Sequence, residues 1–374
     1  MNTYFPEIKN NLGFGFMRLP MIEDKVDIEH TQKMVDLFMK KGFNYFDTAH
    51  TYINGQSQEI LKECLTSKYP RESYVIADKL SAWCFEKEEE IVPLFEKQLE
   101  ICGVEYFDFY LMHAQNKERY ENYKKANAYK IALQLKAEGK IKHFGISFHD
   151  TAEVLETILI ENPEIEFVQI QFNYIDYESE SVQSRQVYEM CRKYNKPVVV
   201  MEPVKGGTLA DLIEECNDIF NELGGSPASY AIRFAAGFEG VFMVLSGMSN
   251  LEMLEENISF MEEFKPLNDA EIAAVQKVHD ILKRQKIVEC TSCEYCVENC
   301  PSNIAIPKLF SCLNSKNTFK NWNADFYYSV HTNNRGKASD CIKCGACEGV
   351  CPQRLNIRQL LEVVAEKFEN TTEE

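Results

Sequence analysis

Cysteine spacing carries the most specific chemistry in this chain. Cys290, Cys293, Cys296 and Cys300 follow at gaps of two, two and three residues and end on Pro301. Cys341, Cys344, Cys347, Cys351 and Pro352 repeat that pattern 51 residues later. Two-residue gaps let one tight loop offer three thiolates to three corners of an iron–sulfur cube, while the fourth, leaving past a proline, ligates the other cube in two-cluster proteins. The rule gives Cys290, Cys293, Cys296 and Cys351 to one [4Fe-4S] cluster, and Cys341, Cys344, Cys347 and Cys300 to a second. Eight thiolates would also hold two tetrahedral zinc ions, but zinc modules separate their cysteine pairs by a longer arm, and zinc chemistry asks for no x3-Cys-Pro endings.

The remaining six of the 14 cysteines are Cys64, Cys84, Cys102, Cys191, Cys216 and Cys312. All but Cys84 sit where a thiol serves as a small packing residue; Cys84, beside Trp83, lies in a loop expected to border a substrate pocket. The first residues, MNTYFPEIKN, lack the basic start and apolar core of a secretory signal. Clustered cysteines in a reducing cytoplasm read as metal ligands rather than disulfides. With 40 Lys and Arg against 58 Asp and Glu the formal charge is -18, a field that repels phosphate backbones and argues against nucleic acid as a partner. No apolar run reaches the ~18 residues of a membrane span. A protein redox partner would present a basic face.

Other polar residues gain meaning from the elements that position them. Eight apolar or β-branched segments, Leu12 to Met17, Phe43 to Asp47, Tyr74 to Lys79, Phe107 to His113, Lys142 to Ser147, Phe167 to Gln171, Pro197 to Glu202 and Val241 to Ser246, alternate with helical patterns. Gly42, Gly103 and Gly139 punctuate three helix ends. The alternation predicts an α/β fold, a parallel (β/α)8 TIM barrel, in preference to a doubly wound sheet, since no G-x-G-x-x-G follows an early strand. Barrel chemistry collects at the C-terminal ends of the strands. Those ends are Asp47, Lys79, His113, Ser147, Gln171, Glu202 and Ser246, with Tyr52 in the loop after Asp47.

Over residues 10 to 260 the ordered segments Gly13-Phe-Gly-Phe-Met-Arg-Leu-Pro20, Phe46-Asp-Thr-Ala-His-Thr-Tyr52, Lys79, Tyr110-Leu-Met-His113, Gly145-Ile-Ser147 and Gln169-Ile-Gln-Phe-Asn-Tyr174 resemble the aldo/keto reductases. The resemblance implies a catalytic tetrad of Asp47, Tyr52, Lys79 and His113. Tyr52 would donate a proton to the reduced carbonyl oxygen, Lys79 would ease that transfer, Asp47 would hold Lys79, and His113 would orient the carbonyl. It further implies cofactor contacts from Gly15, Met17, Arg18, Ser147, Gln171, Glu202, Ser246, Glu256 and Asn257. This chain has Phe148 where the family has a carboxamide-binding Asn, Met201-Glu202-Pro203 where an aromatic stacks on nicotinamide, and Met253 where an Arg holds the 2′-phosphate. Three options stay open for the barrel: NAD(P)H through altered contacts, a flavin (FMN), or a degenerate barrel without hydride cofactor.

The tail is similar to bacterial-type dicluster ferredoxins, enlarged by a 40-residue insert from Pro301 to Asp340. In that insert Trp322 and Phe326-Tyr-Tyr328 read as core or docking contacts, and the last residues, 370–374, as a frayed end. The expected organisation is a barrel over 1–285 followed by a small, mostly helical ferredoxin-like domain over 286–374. The expected function is an oxidoreductase that interconverts a small-molecule carbonyl and alcohol with electrons routed through two [4Fe-4S] clusters to or from a protein donor or acceptor. The alternative is an electron-transfer protein whose barrel only binds a partner.

Overall fold

The structure, a computed structural model, describes residues 4–23, 25–179, 182–284, 287–319 and 323–369. The boundary at Gln285, Trp322 and the 370–374 end lie outside them.

Eight parallel strands close into a barrel: β1 (Leu12–Gly15), β2 (Tyr45–Asp47), β3 (Val75–Leu80), β4 (Phe107–Gln115), β5 (Ile141–Phe148), β6 (Phe167–Gln171), β7 (Val198–Met201) and β8 (Val241–Ser246), with β1 paired to both β2 and β8. The strands are the eight apolar segments of the sequence: β6 and β8 have the expected bounds, β1, β2 and β7 are shorter, β3 is shifted by one residue, and β4 and β5 run past the expected ends. Strands β2, β3, β4 and β6 are buried throughout, as expected where one face meets barrel interior and the other meets helices. Gly42, Gly103 and Gly139 adopt positive φ after helices Ile28–Lys40, Glu88–Cys102 and Ala128–Ala137. Each ends its helix at little steric cost.

Register aligns the strand ends on one rim. Gly15 lies opposite Asp47, Asp47 opposite Ala77, Lys79 opposite Leu111 and Gln171 opposite Met201. The other end of the barrel is filled by rings: Phe5, from the segment before β1, meets Phe109 at 4.9 Å and Phe242 at 4.7 Å between centroids. His143 lies against the same Phe5 ring and bridges two carboxylates, Nε2 to Glu7 at 2.6 Å and Nδ1 to Glu166 at 3.2 Å. With one end packed, the open rim is left for chemistry.

The chain divides into two compact units, Met1–Pro203 with Ala231–Leu267, and Val204–Tyr230 with Asn268–Glu374. The stretch from Val204 to Tyr230, which precedes the last barrel strand, thus groups with the cysteine-rich tail. The second unit has its own core, built by Ile304, Leu309, Phe310 and Leu313 against Ile357, Leu361 and Val364 of helix Ile357–Glu369. Tyr328 stacks on Phe368 in that core, whereas Phe326 and Tyr327 are 61% and 52% exposed. Cys312 is buried there as a packing thiol, and Cys64, Cys102, Cys191 and Cys216 are also buried. Among the described residues no helix is long and apolar enough to cross a membrane.

Two outcomes follow from this packing. A Cβ on Gly145 would lie 2.5 Å from the Phe167 ring and 2.7 Å from its carbonyl oxygen, so Gly145→Ala should lower stability by about 1–3 kcal/mol, read as a reduced urea midpoint. Glu166 is pushed up by burial but brought down to about 2 by hydrogen bonds from His143, Lys136 and the Phe144 N–H. Its stabilisation is complete above its unfolded value of about 4.3 and fades as pH falls toward 2. Glu166→Gln should therefore be less stable than the parent at pH 7, with the gap closing across that acid range.

Candidate active site and thiol centres

Side chains two apart on a strand share a face. Asp47 sits opposite Ala77, so Lys79, two residues further along β3, rises on the same inner face as Asp47. Its Nζ donates to Asp47 Oδ1 at 2.7 Å and to the Thr48 carbonyl at 2.8 Å, with the lysine 0% exposed. The ammonium also lies 4.8 Å from the centre of the Tyr52 ring. Tyr52 in turn meets His113 edge-on, 5.8 Å between centroids. The four expected tetrad residues thus converge, all buried.

Electrostatics assign them protonation states. Burial first, then the carboxylates of Asp47, Asp78 and Glu202, push the Tyr52 phenol well above its ordinary value. The cation over the ring does not win that balance, so Tyr52 is held as a protonated donor. Burial and then the Lys79 charge lower His113 well below its usual range, leaving a neutral imidazole. Burial lifts the Asp47 carboxyl while Lys79 opposes it. Asp47 Oδ2 is buried with no hydrogen-bond partner among the described residues, an acceptor that a bound ligand's donor would satisfy.

The other rim residues divide into groups. Ser147 Oγ accepts from the Ala114 N–H at 2.7 Å. Gln171 is held between His149 Nδ1, at 3.0 Å from its Oε1, and Glu202 Oε2, at 3.2 Å from its Nε2. Glu202 follows β7 with a φ of +57, a left-handed conformation that costs energy for a branched-off side chain. Asn257 donates to Ser246 Oγ at 3.0 Å across the end of β8, whereas Glu256, its neighbour on helix Leu251–Met261, is exposed. Gly15 backs onto the Ser246 carbonyl, and Met17 and Arg18 continue past it half-buried, Arg18 lying against Gly247. Met253 is exposed, and Phe148 is buried.

Ser81, His149, Arg119, Gln58 and Asp78 escaped the sequence reading, whereas Trp83 and Cys84 were expected beside the site. Ser81 Oγ lies 2.7 Å from His113 Nδ1 and fixes the ring; it stands two residues past Lys79, on the same side of the chain. His149 likewise stands two past Ser147. Trp83 covers His113 at 5.0 Å, with the Arg119 guanidinium 5.0 Å from the indole. Cys84 is half-buried and burial raises its thiol, so it carries no thiolate character. On the far side of β3, Asp78 accepts from Gln58 Nε2 at 2.6 Å, and Gln58 Oε1 meets His50 Nδ1 at 2.9 Å. Burial lifts Asp78 to about 7.

In the second unit none of the eight repeat cysteines is in a disulfide. Burial raises Cys296 first, and the charges of Cys293, Cys290 and Cys351 raise it further, so these four are neighbours. Cys300, Cys341, Cys344 and Cys347 line one cavity with Ile342 and Arg358. Among the described residues no three or more His, Cys, Asp or Glu side chains gather as donors for a single ion. Each repeat thus brings cysteines beside a cysteine of the other repeat, and all-thiol donor sets are what iron–sulfur clusters take.

Residues 11–280 match the model of the aldo/keto reductase family, and residues 289–355 match that of the 4Fe-4S dicluster domain. A 9,11-endoperoxide prostaglandin H2 reductase of Trypanosoma cruzi is 24% identical over 277 residues, 72% of this chain and 87% of that protein. The methylglyoxal reductase YeaE of Escherichia coli is 24% identical over 248 residues, 64% of this chain and 80% of that protein. Among solved structures, the holo form of the aldo-keto reductase AKR11C1 of Bacillus halodurans superposes with a TM-score of 0.60 at 21% identity, covering 72% of this chain and 92% of that one. An aldo-keto reductase of Klebsiella pneumoniae in complex with NADPH gives 0.57 at 18% identity, covering 73% and 95%. The chain belongs to the aldo/keto reductase family and carries a 4Fe-4S dicluster domain after its barrel.

Proposed function

We propose that this protein is an iron–sulfur oxidoreductase that interconverts a small-molecule carbonyl and its alcohol, with electrons passing through two [4Fe-4S] clusters to or from a protein carrier. The observation that carries the reading is the buried Lys79–Asp47 pair at 2.7 Å, its ammonium 4.8 Å from the centre of the Tyr52 ring, with His113 edge-on to that ring. Hydride reaching a carbonyl carbon leaves negative charge on the oxygen. Tyr52 supplies the proton that quenches it, the Lys79 ammonium stabilises the phenolate left behind, Asp47 keeps Lys79 aimed, and His113, fixed by Ser81, orients the oxygen.

NAD(P)H or FMN would supply the hydride in the barrel, and only a flavin exchanges such a pair for single electrons. Nicotinamide has the family behind it. Flavin stands beside it because Gln171 is engaged by His149 and Glu202, and Ser147 Oγ by the Ala114 N–H, where the family grips a carboxamide. The eight repeat cysteines would hold the clusters in the two quartets described above. Of these, Cys344 is exposed and its neighbour Ile342 is 67% exposed, which favours the second quartet as the point of exchange with a protein carrier.

Tyr52→Phe should cut carbonyl reduction roughly 100- to 10,000-fold, the range for loss of a general acid, while iron content stays at the parental level; near-parental turnover would remove Tyr52 as the donor. Anaerobic isolation should yield about eight iron and eight sulfide per chain, the content of two cubes, together with nucleotide or flavin released on denaturation. Two zinc ions without sulfide would overturn the electron-transfer half of the proposal.

A further inference from the structure

A buried lysine lies between the two chain segments that deliver the first thiol quartet. Lys205, in the stretch after β7 that groups with the second unit, is 1% exposed. Its Nζ donates to Gln353 Oε1 at 3.1 Å, two residues past Cys351, and lies 3.6 Å from Glu289 Oε2, the residue before Cys290. The backbone is shaped for this approach. Lys205 has a φ of +46 and Gly206 of +66, and a Cβ on Gly206 would lie 2.4 Å from the Thr291 carbonyl oxygen, inside the Cys290-x2-Cys293 loop. A non-glycine residue in left-handed conformation and an ammonium withdrawn from water are both costly, and a fold keeps such features where the surroundings require them.

We propose that Lys205 is a positioning residue that sets the reduction potential of the cluster held by Cys290, Cys293, Cys296 and Cys351, placing it above that of its neighbour. The inference rests on the two-cluster reading of the thiol quartets. Reduction adds one electron, hence one negative charge, to a thiolate-bound centre. A cation fixed in a dry interior stabilises that added charge more than one in solvent does, and outer-sphere groups are known levers on cluster potentials. Among the described residues the second quartet has no equivalent: Arg358, which lines its cavity, has a 48% exposed side chain and is held by Glu348 at 2.8 Å. Solvent screens that charge.

The test is an EPR-monitored redox titration of the full chain, isolated anaerobically, as parent, Lys205→Met, Lys205→Arg and Glu289→Gln. Iron and sulfide are counted in each. Lys205→Met should shift one of the two midpoints to lower potential and leave the other in place, and Lys205→Arg should restore it. Glu289→Gln, which removes a negative charge beside Cys290, should shift the same midpoint upward. A lysine that served only to pack the loop would not produce opposite shifts from opposite charge changes. Two unmoved midpoints in fully loaded Lys205→Met, or two that move together, overturn the inference. Where Lys205→Met loses iron, the Glu289→Gln shift decides, and its absence overturns the inference as well. A parent chain without iron and sulfide would instead defeat the two-cluster reading itself.

Discussion

The catalytic rim depends on one ion pair. Lys79 has no exposure to solvent, and its ammonium is kept in the barrel interior by the Asp47 carboxylate at 2.7 Å and the Thr48 carbonyl. Such a pair is weak evidence for stability, because dehydrating both charges offsets most of their attraction; removal of one partner alone costs about 3–5 kcal/mol, since the other is left buried and unpaired. The pair also constrains register. A slip of one residue between β2 and β3 would turn Lys79 toward the surrounding helices and bring Asp78 inside. Strand register, ion pair and the placing of a cation under Tyr52 are therefore one condition met together.

The outer side of β3 completes the arrangement. Asp78 faces away from Lys79 and is lifted to about 7 by burial, so near neutrality it is divided between acid and carboxylate. It anchors Gln58, which holds His50, in the loop that carries Tyr52. Thr48 and Ser57, 2.7 Å apart, tie the two ends of the same loop, and Ser57 reaches the Phe16 carbonyl after β1. Tyr52 lies outside any strand, yet polar contacts of this kind on both sides limit its loop to one position. The same carboxyl contributes to the field that keeps the phenol protonated.

Much of this was legible in the amino-acid order, and what was not has a physical reason. The eight strands are continuous apolar segments because both of their faces are covered, and continuous segments announce themselves. The polar stops at their ends, Asp47, Lys79, His113, Ser147 and Gln171, stand out against that background. Ser81 and His149 were hidden although each sits two positions beyond a residue already noted, because alternation identifies a shared face only once the strand is known to continue. The grouping of Val204 to Tyr230 with the tail could not be read at all. It is set by contacts far apart in sequence, such as Gly206 against Thr291 and Lys205 against Gln353, which no local pattern encodes. Glu202 was noted as a departure from the family, but its link through Gln171 to His149 needed three strand ends in space.

The second unit makes its repeat cysteines part of its core. Cys296 and Cys347 are buried with Ile304, Ile306, Leu309, Leu361 and Val364 in one apolar cluster, and Cys290, Cys300, Cys341 and Cys351 pack against it. Burial pushes the Cys347 thiol up to about 11, which favours its neutral, weakly polar form. Iron binds thiolate, so loading of a cluster would release protons and place charge inside the apolar cluster, which the metal core would offset only in part. The unit's folding and its loading are thus expected to be linked.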